Sequence, residues 1–158
     1  MPVSAPRGDA NHSAGLAIDE LVSWPPLLAA TVLAVNDHIL KVEFASWWTG
    51  KLSDIAGLFY FPLFLTASGR LLFALARWIA GPRAGFAVPP LRRAHLVVAV
   101  ALTGLVFTAI NVWAPAMRGW DAALSLFVPS RGTADVSDLI ALPSLGLSYL
   151  WGRRFVRG

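Results

Sequence analysis

The stretch from Leu52 to Ile79 decides most of what this chain can become. It carries no charged residue between Ile55 and Gly69, and its apolar length exceeds the ~20 residues that cross a bilayer as a helix. Three further apolar runs share its character. One goes from Leu21 past Val35, one from His95 to Trp113 where Pro115 stops it, and one from Val136 to Trp151. Only 14% of the 158 residues are charged, against ~25% in soluble domains, which leaves too little polar surface to cover a water-soluble body. The pattern predicts an all-α fold, a four-helix transmembrane bundle over residues 21–158. Residues 1–20 are polar and small, contain Pro and Gly, and lack the apolar core of a signal peptide, so they read as a disordered tail.

The runs differ in how easily they span. The second is long enough to tilt or to emerge early around Arg70. The fourth is short, and reaches across only if Asp135-Val136-Ser137-Asp138 belongs to it. Between the third and fourth, Met117, Trp120, Leu124 and Phe127 recur at helical spacing. That spacing predicts a short interfacial amphipathic helix, with a loop packed over the bundle as the alternative.

Charge orients the bundle. Arg70, Arg77, Arg83, Arg92 and Arg93 flank the loop between runs two and three, and Arg153, Arg154 and Arg157 follow run four. The positive-inside rule makes that face cytoplasmic, with both termini on it, in a bacterial inner (plasma) membrane. Lys41, Lys51, Arg118 and Arg131 remain outside, together with Asp37, Glu43, Asp54, Asp121, Asp135 and Asp138. Polar chemistry is thus expected at the outer end, with inner halves that are almost wholly apolar.

Capping accounts for several of these acids. Ser53-Asp54 is placed to start helix two, Asp135 to cap helix four, and Asp138 to complete a capping box. Asp37 has no such role, because it lies near the carboxyl end of helix one, where the helix dipole disfavours an anion. Holding an acid inside a bilayer costs about 2.5 kcal/mol or more, so Asp37 needs a partner. Lys41, four residues on, is the local choice. Asn36 and His38 flank it, and Asn111 ends helix three at the same depth. The candidate ligand-binding set is therefore Asn36, Asp37, His38, Lys41, Lys51, Asp54, Asn111, Arg131, Asp135 and Asp138. No spacing is diagnostic of a metal site, no cofactor motif occurs, and the absence of Cys removes thiolate chemistry. No nucleic-acid-binding motif is present.

Three segments carry a resemblance. Asn36 to Lys41, Gly50 to Gly57 and Asp135 to Pro143 match the pattern Asn-Asp-His-x-Leu-Lys, Gly-Lys-Leu-Ser-Asp-x-Ala-Gly and Asp-x-x-Asp-Leu-x-Ala-Leu-Pro. In these the chain resembles a group of small bacterial multi-pass membrane proteins, which implies the cell envelope and no particular activity. Arg131, Asp135 and Asp138 also match VanZ-like membrane proteins loosely, although the Asn usual after the last Asp is absent and Leu142-Pro143 stand nearby. Signal peptidase II is similar in length and span number. Asp54 with Asp135 or Asp138 would imitate its catalytic pair, but its Asn-containing motifs are missing.

The expected function is that of a membrane protein whose outward polar site binds a lipid headgroup or a lipid-linked envelope precursor, or serves another membrane protein as an accessory factor. In that reading Lys41, Lys51 and Arg131 meet phosphate. The alternatives are an intramembrane aspartate-dependent hydrolase, with two carboxylates sharing a proton, and a structural subunit of a membrane complex. A transporter would need polar residues continuing inward.

Overall fold

A computed structural model describes residues 18–40, 43–44, 46–81, 86–126 and 132–157. All regular structure among them is helical. A single turn, α1 (Asp19–Val22), leads into α2 (Trp24–Val35), where prolines occupy the first turn and need no intrahelical donor. A π-helical turn, Asn36–Leu40, continues α2. The longest element, α3 (Trp47–Ala80), has 34 residues. Then come α4 (Arg93–Val112), α5 (Ala114–Leu124), a 3-10 turn (Val136–Ala141), α6 (Pro143–Gly152) and a final 3-10 turn (Arg153–Phe155). Of the tail read over residues 1–20, positions 1–17 lie outside the described residues, and Asp19 and Glu20 belong to α1.

The start of α3 corrects the expected cap. Ser46 is the cap: its side chain accepts from the Thr49 N–H, and the Thr49 hydroxyl answers the Ser46 N–H, a closed capping box. Ser53 and Asp54 therefore lie one turn and more inside the helix. Downstream, the expected amphipathic helix is present as α5, which buries none of its residues.

The helices alternate in direction around α3. Asn36 meets Ser53 while Glu20 meets Arg70, so α2 runs antiparallel to α3. Lys51 meets Asp138 while Leu63 faces Gly152, so α6 runs parallel to it. Leu145 lies against Gly104 and Gly152 against Leu96, which sets α4 antiparallel to α6. At Gly152 the packing is close: a Cβ would stand 2.8 Å from one Leu96 methyl and 3.0 Å from a Leu63 methyl, so those side chains would have to shift. Leu58, Ala141 and Leu145 form a buried cluster with Val100, Phe107 and Leu142 packed on it. Both described ends of the chain lie at the Arg70 end of α3, where the Arg157 N–H donates to Leu91 O.

Much of the apolar surface faces outward. Val98 is 63% and Leu105 69% exposed, and only 22% of the apolar window of α4 is buried. Water would penalise that surface by roughly 25 cal/mol per Å², whereas hydrocarbon would not. α3 and α4 are both long and apolar enough to cross a membrane. The helices flanking them are shorter, and α2 reaches 17 residues only with its π-helical turn counted (Trp24–Leu40).

Candidate functional site

The polar residues at the Lys51 end fall on separate faces of α3. The first group joins it to α2. Asn36 is fully buried, and its Nδ2 donates to Thr49 O and to Ser53 Oγ, both at 2.6 Å. The Ser53 hydroxyl in turn donates to Asp37 Oδ1 at 2.8 Å. Asn36 and Asp37 open the π-helical turn, and both meet α3 there. Thr49 and Ser53 are four residues apart and share one face. Asn36 Oδ1 has no hydrogen-bond partner among the described residues. His38 stays local, its Nδ1 lying 3.0 Å from Ala34 O.

Lys51 forms the second group. At about 100° per residue it points well away from the Thr49–Ser53 face. Its ammonium is buried, donates to Ser137 Oγ at 2.6 Å and to Asp138 Oδ1, and lies 3.6 Å from Asp135 Oδ2. The Trp47 ring centroid is 5.2 Å away. Asp135 does cap its turn, accepting from the Ser137 N–H at 2.8 Å. That bond, aided by the Ser137 side chain and the nearby ammonium, holds the Asp135 carboxyl below the usual carboxylate range. Asp138 departs from its expected place in a capping box, because its carboxylate is taken by Lys51.

Asp54, three residues on from Lys51, lies close enough to act electrostatically on its ammonium. With Ser53 it stands at one end of a groove of about 430 Å³ between α3 and α4, whose walls include Gly57, Phe61, Leu102, Val106 and Trp120. Asn111 is buried at the end of α4 and donates to Phe107 O of its own helix at 3.0 Å. Lys41 and Arg131 lie outside the described residues, and with them the Asp37–Lys41 pair. The candidate residues thus share one end of the bundle but divide by azimuth. Among the described residues no cluster of three or more His, Asp or Glu is placed to hold a metal ion.

The opposite end holds what sequence reasoning missed. Glu20 of α1 is 2% exposed and pairs with Arg70 of α3, itself 6% exposed. The guanidinium also donates to Pro89 O at 2.9 Å and to Thr66 O at 3.3 Å. Nearby, Trp151 Nε1 donates to Ser23 Oγ at 3.1 Å, and Trp151 meets Trp24 edge to face. The expectation that polar chemistry is concentrated at the Lys51 end therefore leaves out this buried pair. A signal existed: an acid just before the first apolar run and an arginine inside the second, at matching depths.

Below Arg70 the α3–α4 groove widens to a second cavity of about 570 Å³. It shares Leu65 and Leu102 with the first, so a single apolar furrow follows the helix pair. Comparisons with protein-family models, curated proteins and solved structures find no match for the chain. The functional reading therefore rests on these residues and their geometry.

Proposed function

We propose that the chain is a four-span protein of a bacterial inner membrane, with both termini cytoplasmic, that holds an amphiphilic envelope lipid in the outer half of the α3–α4 groove. The observation that carries this reading is the apolar groove headed by Asp54 and Ser53 and bordered by Trp120. An alkyl chain fits the apolar walls, and Trp favours the level where hydrocarbon meets headgroup. Lys51 is engaged by Ser137, Asp138 and Asp135, while Arg118 of α5 is exposed. A headgroup entering beside Asp54 and Ser53 meets a carboxylate and a hydroxyl, which recognise its hydroxyl or ammonium donors. A carboxylate takes such donors in charge-assisted hydrogen bonds.

The hydrolase alternative needs two carboxylates sharing a proton. Asp135 and Asp138 instead both meet the Lys51 ammonium. Binding, with accessory service to another envelope protein, is the reading that the geometry supports best.

Native mass spectrometry of the purified chain tests it. The wild type should retain a lipid that Asp54→Asn loses, and Val106→Trp, which fills the groove, should lose it too. An identical lipid profile in all three proteins would overturn the proposal. Reporter fusions at Pro82 and Gly132 address topology and should report opposite sides of the membrane.

A further inference from the structure

We infer that the Arg70 half of the furrow is a second lipid site, selective for an anionic phospholipid of the facing leaflet, with Arg92 and His95 as its headgroup contacts. Here the α3–α4 cavity is walled by Gly69, Phe73, Val98 and Leu102, and its mouth carries Arg92 and His95. Both are exposed, and among the described residues neither is paired with an acid. Arg70 also borders the cavity, but Glu20 neutralises it and two backbone carbonyls occupy it further. The free positive charge at the mouth is therefore that of Arg92, with the His95 imidazole beside it as a further hydrogen-bonding group.

Charge complementarity selects the occupant. A phosphate diester meets the guanidinium through two oxygens, as Arg favours. Basic pockets between helices on the cytoplasmic side suit anionic headgroups in the same way. The apolar wall then selects a lipid over a soluble phosphate, because only an attached chain covers Phe73, Val98 and Leu102. Gly69 keeps the space open: a Cβ built there meets nothing within 4 Å. A larger side chain at position 69 would therefore compete with a ligand for that space. This site does not depend on the outer one, since it uses neither Asp54 nor Ser53.

The test uses the full chain in detergent, titrated with phosphatidylglycerol, phosphatidylcholine of the same chains, and glycerol phosphate, and read by native mass spectrometry. Wild type should prefer phosphatidylglycerol over phosphatidylcholine by on the order of tenfold, and glycerol phosphate should bind far more weakly. Arg92→Gln with His95→Gln should abolish that preference. Arg153→Gln with Arg154→Gln, which removes two arginine charges outside the groove, should leave it intact. Gly69→Leu should weaken both lipids while helical circular dichroism stays unchanged, because leucine is the better helix former. Equal affinity of wild type for the two lipids would overturn the inference. So would equal losses in the two double variants, no effect of Gly69→Leu, or glycerol phosphate binding as tightly as phosphatidylglycerol. Asp54→Asn should leave this preference unchanged, which separates failure here from failure of the outer site.

Discussion

α3 buries one cation near its start and another ten residues before its end, and the two are satisfied differently. Arg70 meets one carboxylate and two backbone carbonyls, and its partner Glu20 is as buried as it is. Lys51 meets a hydroxyl and two carboxylates, of which Asp138 is 20% and Asp135 49% exposed. The Arg70 arrangement is a closed one-to-one pair whose fork of donors is matched from three directions. The Lys51 arrangement carries an excess of negative charge and opens toward solvent on its acidic side. One end behaves as a locked joint, the other as a clasp that solvent and pH can reach.

The sharpest way to break this contrast is to remove one partner at each end. Glu20→Gln leaves Arg70 buried without its counter-charge and should cost about 3–5 kcal/mol, read as lost thermal stability or folded yield in detergent. Glu20→Gln combined with Arg70→Met should recover much of that loss. Lys51→Met should destabilise less, because Asp135 and Asp138 can turn to water. Equal losses at the two ends would erase the distinction between joint and clasp.

A smaller effect sharpens it by pH. The folded Asp135 carboxyl lies below the usual range, so the unfolded chain takes up the proton first as pH falls. Its stabilising contribution is complete above the ordinary aspartate pKa of about 4, and is lost as pH drops through the lowered folded value. Melting temperature followed from pH 6 to pH 3 should fall less steeply in Asp135→Asn than in wild type. Parallel curves would show that Asp135 contributes nothing to acid sensitivity.

Local rules carried the sequence reading far, and long-range pairing marks where they stopped. Apolar run length and proline position made the all-helical character and the amphipathic α5 legible, and the cap at Asp135 followed from residue type alone. The start of α3 was not legible, because Ser53-Asp54 is as good a local cap as the Ser46–Thr49 box used instead. The partners of the buried cations were also hidden. Lys51 and Asp138 are 87 positions apart, Arg70 and Glu20 50, whereas sequence proximity points Asp37 toward Lys41. Depth along a helix can be counted from residue numbers. Azimuth depends on which neighbour packs where, so residues that shared a depth proved to lie on different faces.

The span of α3 between its two ion pairs has a further consequence. Lys51 and Arg70 are 19 residues apart, or roughly 28 Å at 1.5 Å per residue, close to the ~30 Å of a bilayer's hydrocarbon. Each pair is knotted to a different stretch of chain, one to the 3-10 turn before α6 and the other to α1, so neither can slide to follow the lipid. α3 thereby acts as a gauge of fixed length. In a thicker bilayer one ionic knot would have to enter hydrocarbon, or the lipid would have to thin around the helix. Each response costs a fraction of a kcal/mol per Å, so under the proposed membrane-spanning reading this protein would register membrane thickness.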